Sequence, residues 1–184
     1  MTGMTNLTSL ELLRTLADAR TRYEERFGWP VTIEVQPGRL VMRLGEVADA
    51  VVMPRRLGRD VLADLRIAML AGPVLADGGG QWWMFLTRPA CHAAPKHEDE
   101  LRCIEVHPVP SGARVIVPCE FDAKNGCPWI EQPRALPRLP PWSAVIATAR
   151  RIASIPRQRV PEHPGLHPSG VTHPPSAPVL PALA

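Results

Sequence analysis

The sequence predicts an α+β domain of two layers, a mixed or mostly antiparallel sheet covered by helices, followed by a disordered proline-rich tail. Three observations predict it. Apolar residues recur at helical spacing in residues 9–27, 56–70 and 141–153. Short β-rich runs separated by Gly and Pro turns lie between them. Past Pro156 prolines crowd, aromatic residues disappear and no periodicity is left. The chain thus divides into a flexible N-terminus at 1–8, a domain at 9–154 and a disordered tail at 155–184.

The first helix has Thr8 or Ser9 as its cap and Gly28 as its stop. Its apolar face is Leu12, Leu13, Leu16, Ala19, Tyr23 and Phe27. Residues 31–35 alternate as a half-buried strand does, and residues 40–44 return as its partner. Between them, Gln36-Pro37-Gly38-Arg39 has Pro and Gly where a type II turn needs them. Residues 48–53, apolar except for Asp49, form a short run that reads as an interior strand ended by Pro54.

The second helix presents Leu57, Val61, Leu62, Leu65, Ala68 and Met69 on one face, and Gly72-Pro73 breaks it. Val74-Leu75 is a short strand, Asp77-Gly78-Gly79-Gly80 a turn, and Trp82-Trp83-Met84-Phe85-Leu86 a core strand. A short helix at 98–103, a strand at 104–107, another at 114–118 and an edge strand at 128–131 follow. Residues 120–127 read as a polar loop with a tight Asn125-Gly126 turn. Pro140-Pro141 opens the last helix, whose apolar face is Val145, Ile146, Ala149 and Ile152.

The 184 residues suffice for one domain with a core. A net charge of +3 is too small for the basic stripe of a dedicated nucleic-acid binder. The arginines cluster at Arg55, Arg56 and Arg59 and again at Arg150, Arg151, Arg157 and Arg159, which reads first as a solvated surface, with a phosphate-contacting patch as the alternative. No export signal and no run of ~18 apolar residues is present, so a cytoplasmic protein without a membrane span is expected. Cys91, Cys103, Cys119 and Cys127 are then reduced thiols. They contain no C-x2-C pair, and His92, His97 and His107 among them do not complete a zinc pattern. The glycines at 78–80 precede a strand and lack a following Lys, so they are no P-loop. No G-x-S-x-G or H-E-x-x-H is present.

Several segments in order carry a resemblance: Gly28-Trp29-Pro30-Val31, Asp49-Ala50-Val51-Val52-Met53-Pro54, Ala71-Gly72-Pro73-Val74-Leu75, Gly79-Gly80-Gln81-Trp82-Trp83-Met84-Phe85, Arg114-Val115-Ile116-Val117-Pro118, and Trp129 before Arg134-Ala135-Leu136-Pro137. This succession resembles the bifunctional DNA primase/polymerase N-terminal (Prim-Pol) domain in a short bacterial single-domain form. The resemblance implies an Asp-hydrophobic-Asp pair that holds divalent metal at the end of the central strand, and a Gly-Gly-x-His turn whose histidine meets the nucleotide. Val52-Met53-Pro54 and Gly79-Gly80-Gln81-Trp82 stand in those places.

The resemblance therefore implies a catalytically degenerate domain that binds or regulates, with nucleic acid, nucleotide or protein as ligand and no cofactor. Its candidate cleft is Asp49, Pro54, Asp77, Gly79, Gly80 and Trp82. An alternative keeps the enzyme, with Mg or Mn held by relocated carboxylates at Asp49, Asp77 and Glu105. Asp60 and Asp64, on the next helix, are expected to be solvated. A third reading makes the proline-rich tail a protein-docking segment, although it has no repeated P-x-x-P with an arginine placed beside it.

Overall fold

A computed structural model of the chain describes residues 3–90, 98–119, 128–134 and 139–154. The predicted tail, the 120–127 loop, Cys91, Cys127, His92 and His97 lie outside the described residues. The described part is α+β, with four helices and two antiparallel sheets. Helix α1 (Gly3–Phe27) leads into the hairpin β1 (Val31–Glu34) and β2 (Arg39–Arg43). Then come β3 (Asp49–Pro54), α2 (Arg55–Ile67), β4 (Val74–Ala76), β5 (Trp82–Thr87) and α3 (Glu98–Cys103). The strands β6 (His107–Pro108), β7 (Arg114–Val117) and β8 (Trp129–Glu131) precede α4 (Trp142–Ser154).

The strands do not form the single sheet that the two-layer expectation supposes. One sheet has the order β1-β2-β7, the other β6-β3-β5-β4-β8. Two apolar cores explain why. Ala50, Leu75 and Leu86, on one face of the larger sheet, pack with α1 and with Leu40, Met42 and Val115 of the smaller sheet. Val51, Val74 and Phe85, on its other face, pack with Leu57, Val61 and Leu65 of α2 and with Val145 and Ile146 of α4. The larger sheet is thus covered on both sides, by helices on one and by α1 with the smaller sheet on the other. Each large apolar side chain in these cores contributes ~1.5–3 kcal/mol by leaving water.

Within α1, Leu16, Ala19, Tyr23 and Phe27 are buried at 3-4-4 spacing, while Leu12 is exposed. The helix starts at Gly3 and runs through Thr8 and Ser9, so neither is its cap. It ends where Gly28 takes φ +66, the left-handed conformation that glycine adopts without penalty. In the hairpin the Gln36–Pro37 peptide is cis, and the Gly38 N–H donates to the Glu34 carbonyl, in place of a simple type II turn.

Helix α2 ends at Ile67, before the predicted Ala68 and Met69. Its end is a left-handed cap: the Leu70 N–H donates to the Leu65 carbonyl and the Met69 N–H to that of Arg66, with Met69 at φ +56. That reversal turns Met69 outward, and it is 91% exposed rather than in the core. Helix α3 ends the same way, with the Val106 N–H on the Leu101 carbonyl and Glu105 at φ +56. Glu105 therefore interrupts the strand predicted at 104–107, which shrinks to His107–Pro108.

Candidate functional site

Strand β3 pairs with β5 in a register that sets Pro54 opposite Trp82, Val52 opposite Met84 and Ala50 opposite Leu86. Strand β4 continues the rows, with Leu75 opposite Met84 and Ala76 opposite Trp83. Because strand side chains alternate, Val52, Pro54, Trp82, Met84 and Leu75 share one face. That is the face toward the smaller sheet.

There the two sheets leave a cleft of about 220 Å³. Val52, Leu75, Trp82 and Met84 form one wall, and Val115 and Ile116 of β7 the other. Asp77 and Arg114 stand among the lining residues. Trp82 is 36% exposed, and its ring tilts against His107 with centroids 5.8 Å apart.

The turn from β4 to β5 fixes Trp82. The Asp77 N–H donates to the Trp82 carbonyl, and the Trp82 N–H donates to Asp77 Oδ1, each at 2.9 Å. The Gly80 N–H bonds the Asp77 carbonyl, with Gly80 at φ +66. The Arg55 N–H, at the start of α2, donates to the Gln81 carbonyl. Asp77 is therefore a structural acceptor as well as a rim carboxylate. Arg114 is engaged too: with Arg39 it pairs with Glu34.

Of the six candidate residues, Pro54, Asp77 and Trp82 lie in one cross-strand row, and Gly79 and Gly80 belong to the turn that closes it. Asp49 does not join them. It pairs with Thr87 at the opposite end of β3, ~17 Å from Pro54 at strand rise. It also faces the α2–α4 side, where Oδ2 accepts from the Ala90 N–H at 2.7 Å. Strand parity explains the placement, since positions 49 and 54 differ by an odd number.

The relocated set Asp49, Asp77 and Glu105 accordingly does not converge, and no group of three His, Cys, Asp or Glu gathers among the described residues. At the two acid positions of the resemblance, Val52 and Pro54 offer no side-chain oxygen to a hard cation, so the residues present do not fit Mg or Mn. Asp64 and Asp60 are not simply solvated: Asp64 pairs with Arg151 of α4 and Asp60 with Arg59.

Trp82 and Trp83 are adjacent on one strand, so only one of them can turn its ring toward the cleft. The register decides it: Trp83 is 8% exposed on the α2 side, where Gly58 lets the helix approach. A Cβ on Gly58 would lie 3.1 Å from the Trp83 side chain. Val115 and Ile116 join the site from a distant strand, and nothing local in β7 signals that it faces β3 and β5.

Comparisons with protein-family models, with curated proteins and with solved structures return no match for this chain. No helix among the described residues is long and apolar enough to cross a membrane.

Proposed function

We propose that this chain is a primase–polymerase-like domain that has exchanged nucleotidyl transfer for binding, and that its ligand enters the cleft at Trp82. One observation carries the reading. The three positions where the resemblance places two metal-holding acids and a nucleotide-contacting histidine, Val52, Pro54 and Trp82, fall on one face of the β3–β5 ladder. Two of them, Val52 and Trp82, line the same cleft. The residue types there replace charge with apolar and aromatic surface.

Such a cleft suits a flat ring that stacks on an indole, as nucleobases do on aromatic side chains. Its volume of about 220 Å³ accommodates a ring rather than a whole nucleotide. Charged phosphates would find Arg114 already held by Glu34. A nucleotide or single-stranded nucleic acid is thus held by its base, and a protein ligand by an aromatic or apolar side chain.

The test is thermal-shift and tryptophan-fluorescence titration with nucleosides, nucleoside triphosphates and short single-stranded oligonucleotides, with and without Mg or Mn. A ligand of the folded state raises the melting temperature. Binding that needs no metal and disappears in Trp82→Ala supports the reading. Metal-dependent primer extension by the purified protein would overturn it.

A further inference from the structure

We propose that a second groove, beside the C-terminus of α2, is a docking site for the chain's own proline-rich segment, residues 171–181. This groove is separate from the Trp82 cleft, and the inference does not depend on what that cleft binds. Its volume is about 830 Å³. Phe27 and Trp29 lie at its base, Met69, Leu70 and Pro140 form walls, and Arg88 is the charged residue among its lining.

The walls are fixed before any ligand arrives. The Arg88 N–H donates to the Pro140 carbonyl at 2.9 Å. Gly72 has no side chain, and a Cβ there would stand 2.3 Å from Pro140 Cδ, so the Pro140 ring sits directly against the backbone. The left-handed cap of α2 then pushes Met69 and Leu70 into solvent at 91% and 40% exposure. Exposed apolar residues beside a preformed groove mark a surface that gains by being covered.

The polar character of the groove narrows the occupant. The Arg88 guanidinium is exposed and has no partner among the described residues. It offers donors and no acceptor. Because the rest of the lining is apolar, a matching ligand is largely apolar and brings acceptor oxygens for Arg88, which backbone carbonyls not tied up by N–H groups of its own can supply. A polyproline II segment has those properties, because proline lacks the N–H and the helix makes no internal hydrogen bonds.

Residues 164–184 contain no Asp, Glu, Lys or Arg. Within them Pro175, Pro178 and Pro181 recur every third residue, which sets them on one edge of such a helix.

Reach is not limiting. Helix α4 runs from Trp142, next to the Pro140 wall, to Ser154, a distance of ~20 Å. Between Ser154 and Pro175 the chain can span ~65 Å at the polyproline rise. Tethering gives the segment an effective concentration in the ~mM range, so weak intrinsic affinity is enough.

The test uses the full chain with a photoreactive benzoylphenylalanine in place of Leu180, next to Pro181. On irradiation, the expected product is an intramolecular cross-link to peptides containing Met69, Leu70 or Pro140. Its yield is independent of protein concentration. In Met69→Asp, a change at an exposed residue checked by circular dichroism, the yield falls about tenfold, as expected when a buried methionine contact is replaced by a charge. Arg88→Gln lowers it as well. Cross-links to another surface, no cross-link, a yield unchanged in Met69→Asp, or a cross-linked dimer that grows with concentration would each overturn the proposal. The last outcome would assign the groove to a second copy.

Discussion

The Trp129 indole N–H donates to the Tyr23 hydroxyl across 3.3 Å, joining β8 to α1 inside the core. The same hydroxyl donates to the Pro118 carbonyl at 2.8 Å, just beyond β7. Tyr23 also stacks on Trp29, with centroids 6.1 Å apart. One buried oxygen therefore joins a helix and an edge strand from each sheet. Tyr23→Phe keeps the ring and removes that oxygen, leaving a buried donor and acceptor without this partner. The expected loss is about 1–3 kcal/mol, read as a lower urea midpoint with an unchanged slope.

The same burial sets a pH dependence. Burial raises the Tyr23 pKa well above its ordinary value, an effect partly offset by the Trp129 hydrogen bond. Up to about pH 10 the tyrosine keeps its proton in both folded and unfolded chains, and its contribution is constant. Above that, the unfolded chain releases the proton while the folded one holds it. Stability then falls with rising pH by up to about 1.4 kcal/mol per unit. Urea titrations of wild type and Tyr23→Phe between pH 9 and pH 12 (~ values bracketing the ordinary tyrosine pKa) isolate the effect as the difference between the two curves. Parallel curves would refute it.

Glu105 occupies the left-handed position of the α3 cap at φ +56, where a side chain strains the backbone and glycine does not. It is exposed, whereas Leu101 and Val106 on either side of the cap are fully buried. Relief of a left-handed penalty of ~1–2 kcal/mol, less ~0.4–1 kcal/mol for the extra freedom of glycine in the unfolded chain, leaves Glu105→Gly expected to stabilise the fold by roughly 0.5–1 kcal/mol. A melting temperature that drops would show that the Glu105 side chain contributes more than its conformation costs.

Two glycines separate steric from conformational demands. Gly28 has φ +66 and open space around a hypothetical Cβ. Gly72 has its Cβ position filled by Pro140. Gly28→Ala should cost about 1–2 kcal/mol through its dihedral alone. Gly72→Ala should cost about 1–3 kcal/mol by overpacking, and a Gly72→Ala, Pro140→Ala double variant should recover part of it. Equal losses in the single and double variants would remove the steric account.

Adjacent tryptophans should behave oppositely. Trp83→Ala empties a core position against α2 and is expected to cost about 3–5 kcal/mol. Trp82→Ala removes a partly exposed ring and should cost under ~1 kcal/mol while abolishing ligand-dependent shifts at the cleft. Chemical denaturation and ligand titration of both variants check the pair. A Trp82→Ala protein that still binds the same ligand would move the site elsewhere.

Much of the local structure was legible in the residues. The helical spacing of Leu16, Ala19, Tyr23 and Phe27, the apolar run ending at Pro54 and the stop at Gly28 all appear as read. What was not legible is which strands meet. The alternation of Val115 and Val117 says that β7 has a buried face, but not that its partner is the far earlier strand β2, where Leu40 stands opposite Val117.

Long-range pairing depends on the complementarity of whole faces, which a local pattern does not contain. The candidate site shows the same division. Asp77 and Trp82 are grouped by the short turn that joins their strands, whereas Pro54, a helix away in the chain, is brought to them by the β3–β5 pairing and was legible only through the resemblance. Asp49 lies five residues along β3 from Pro54 and on the opposite face, a separation and parity that the grouping of chemical types alone does not express.

The double covering of the larger sheet has a consequence in time. Strand β3 has β5 along one edge and β6 beside Val51 and Val52 on the other, and Ala50, Val51 and Met53 are fully buried, so its amides are expected to exchange with solvent only in the larger openings of the domain. Strand β7 lies at the rim of a three-stranded sheet and can separate through a smaller fluctuation. On the reading proposed for the Trp82 cleft, its β3 wall would stay closed while its β7 wall opens more readily, so the pace of ligand exchange would follow β7.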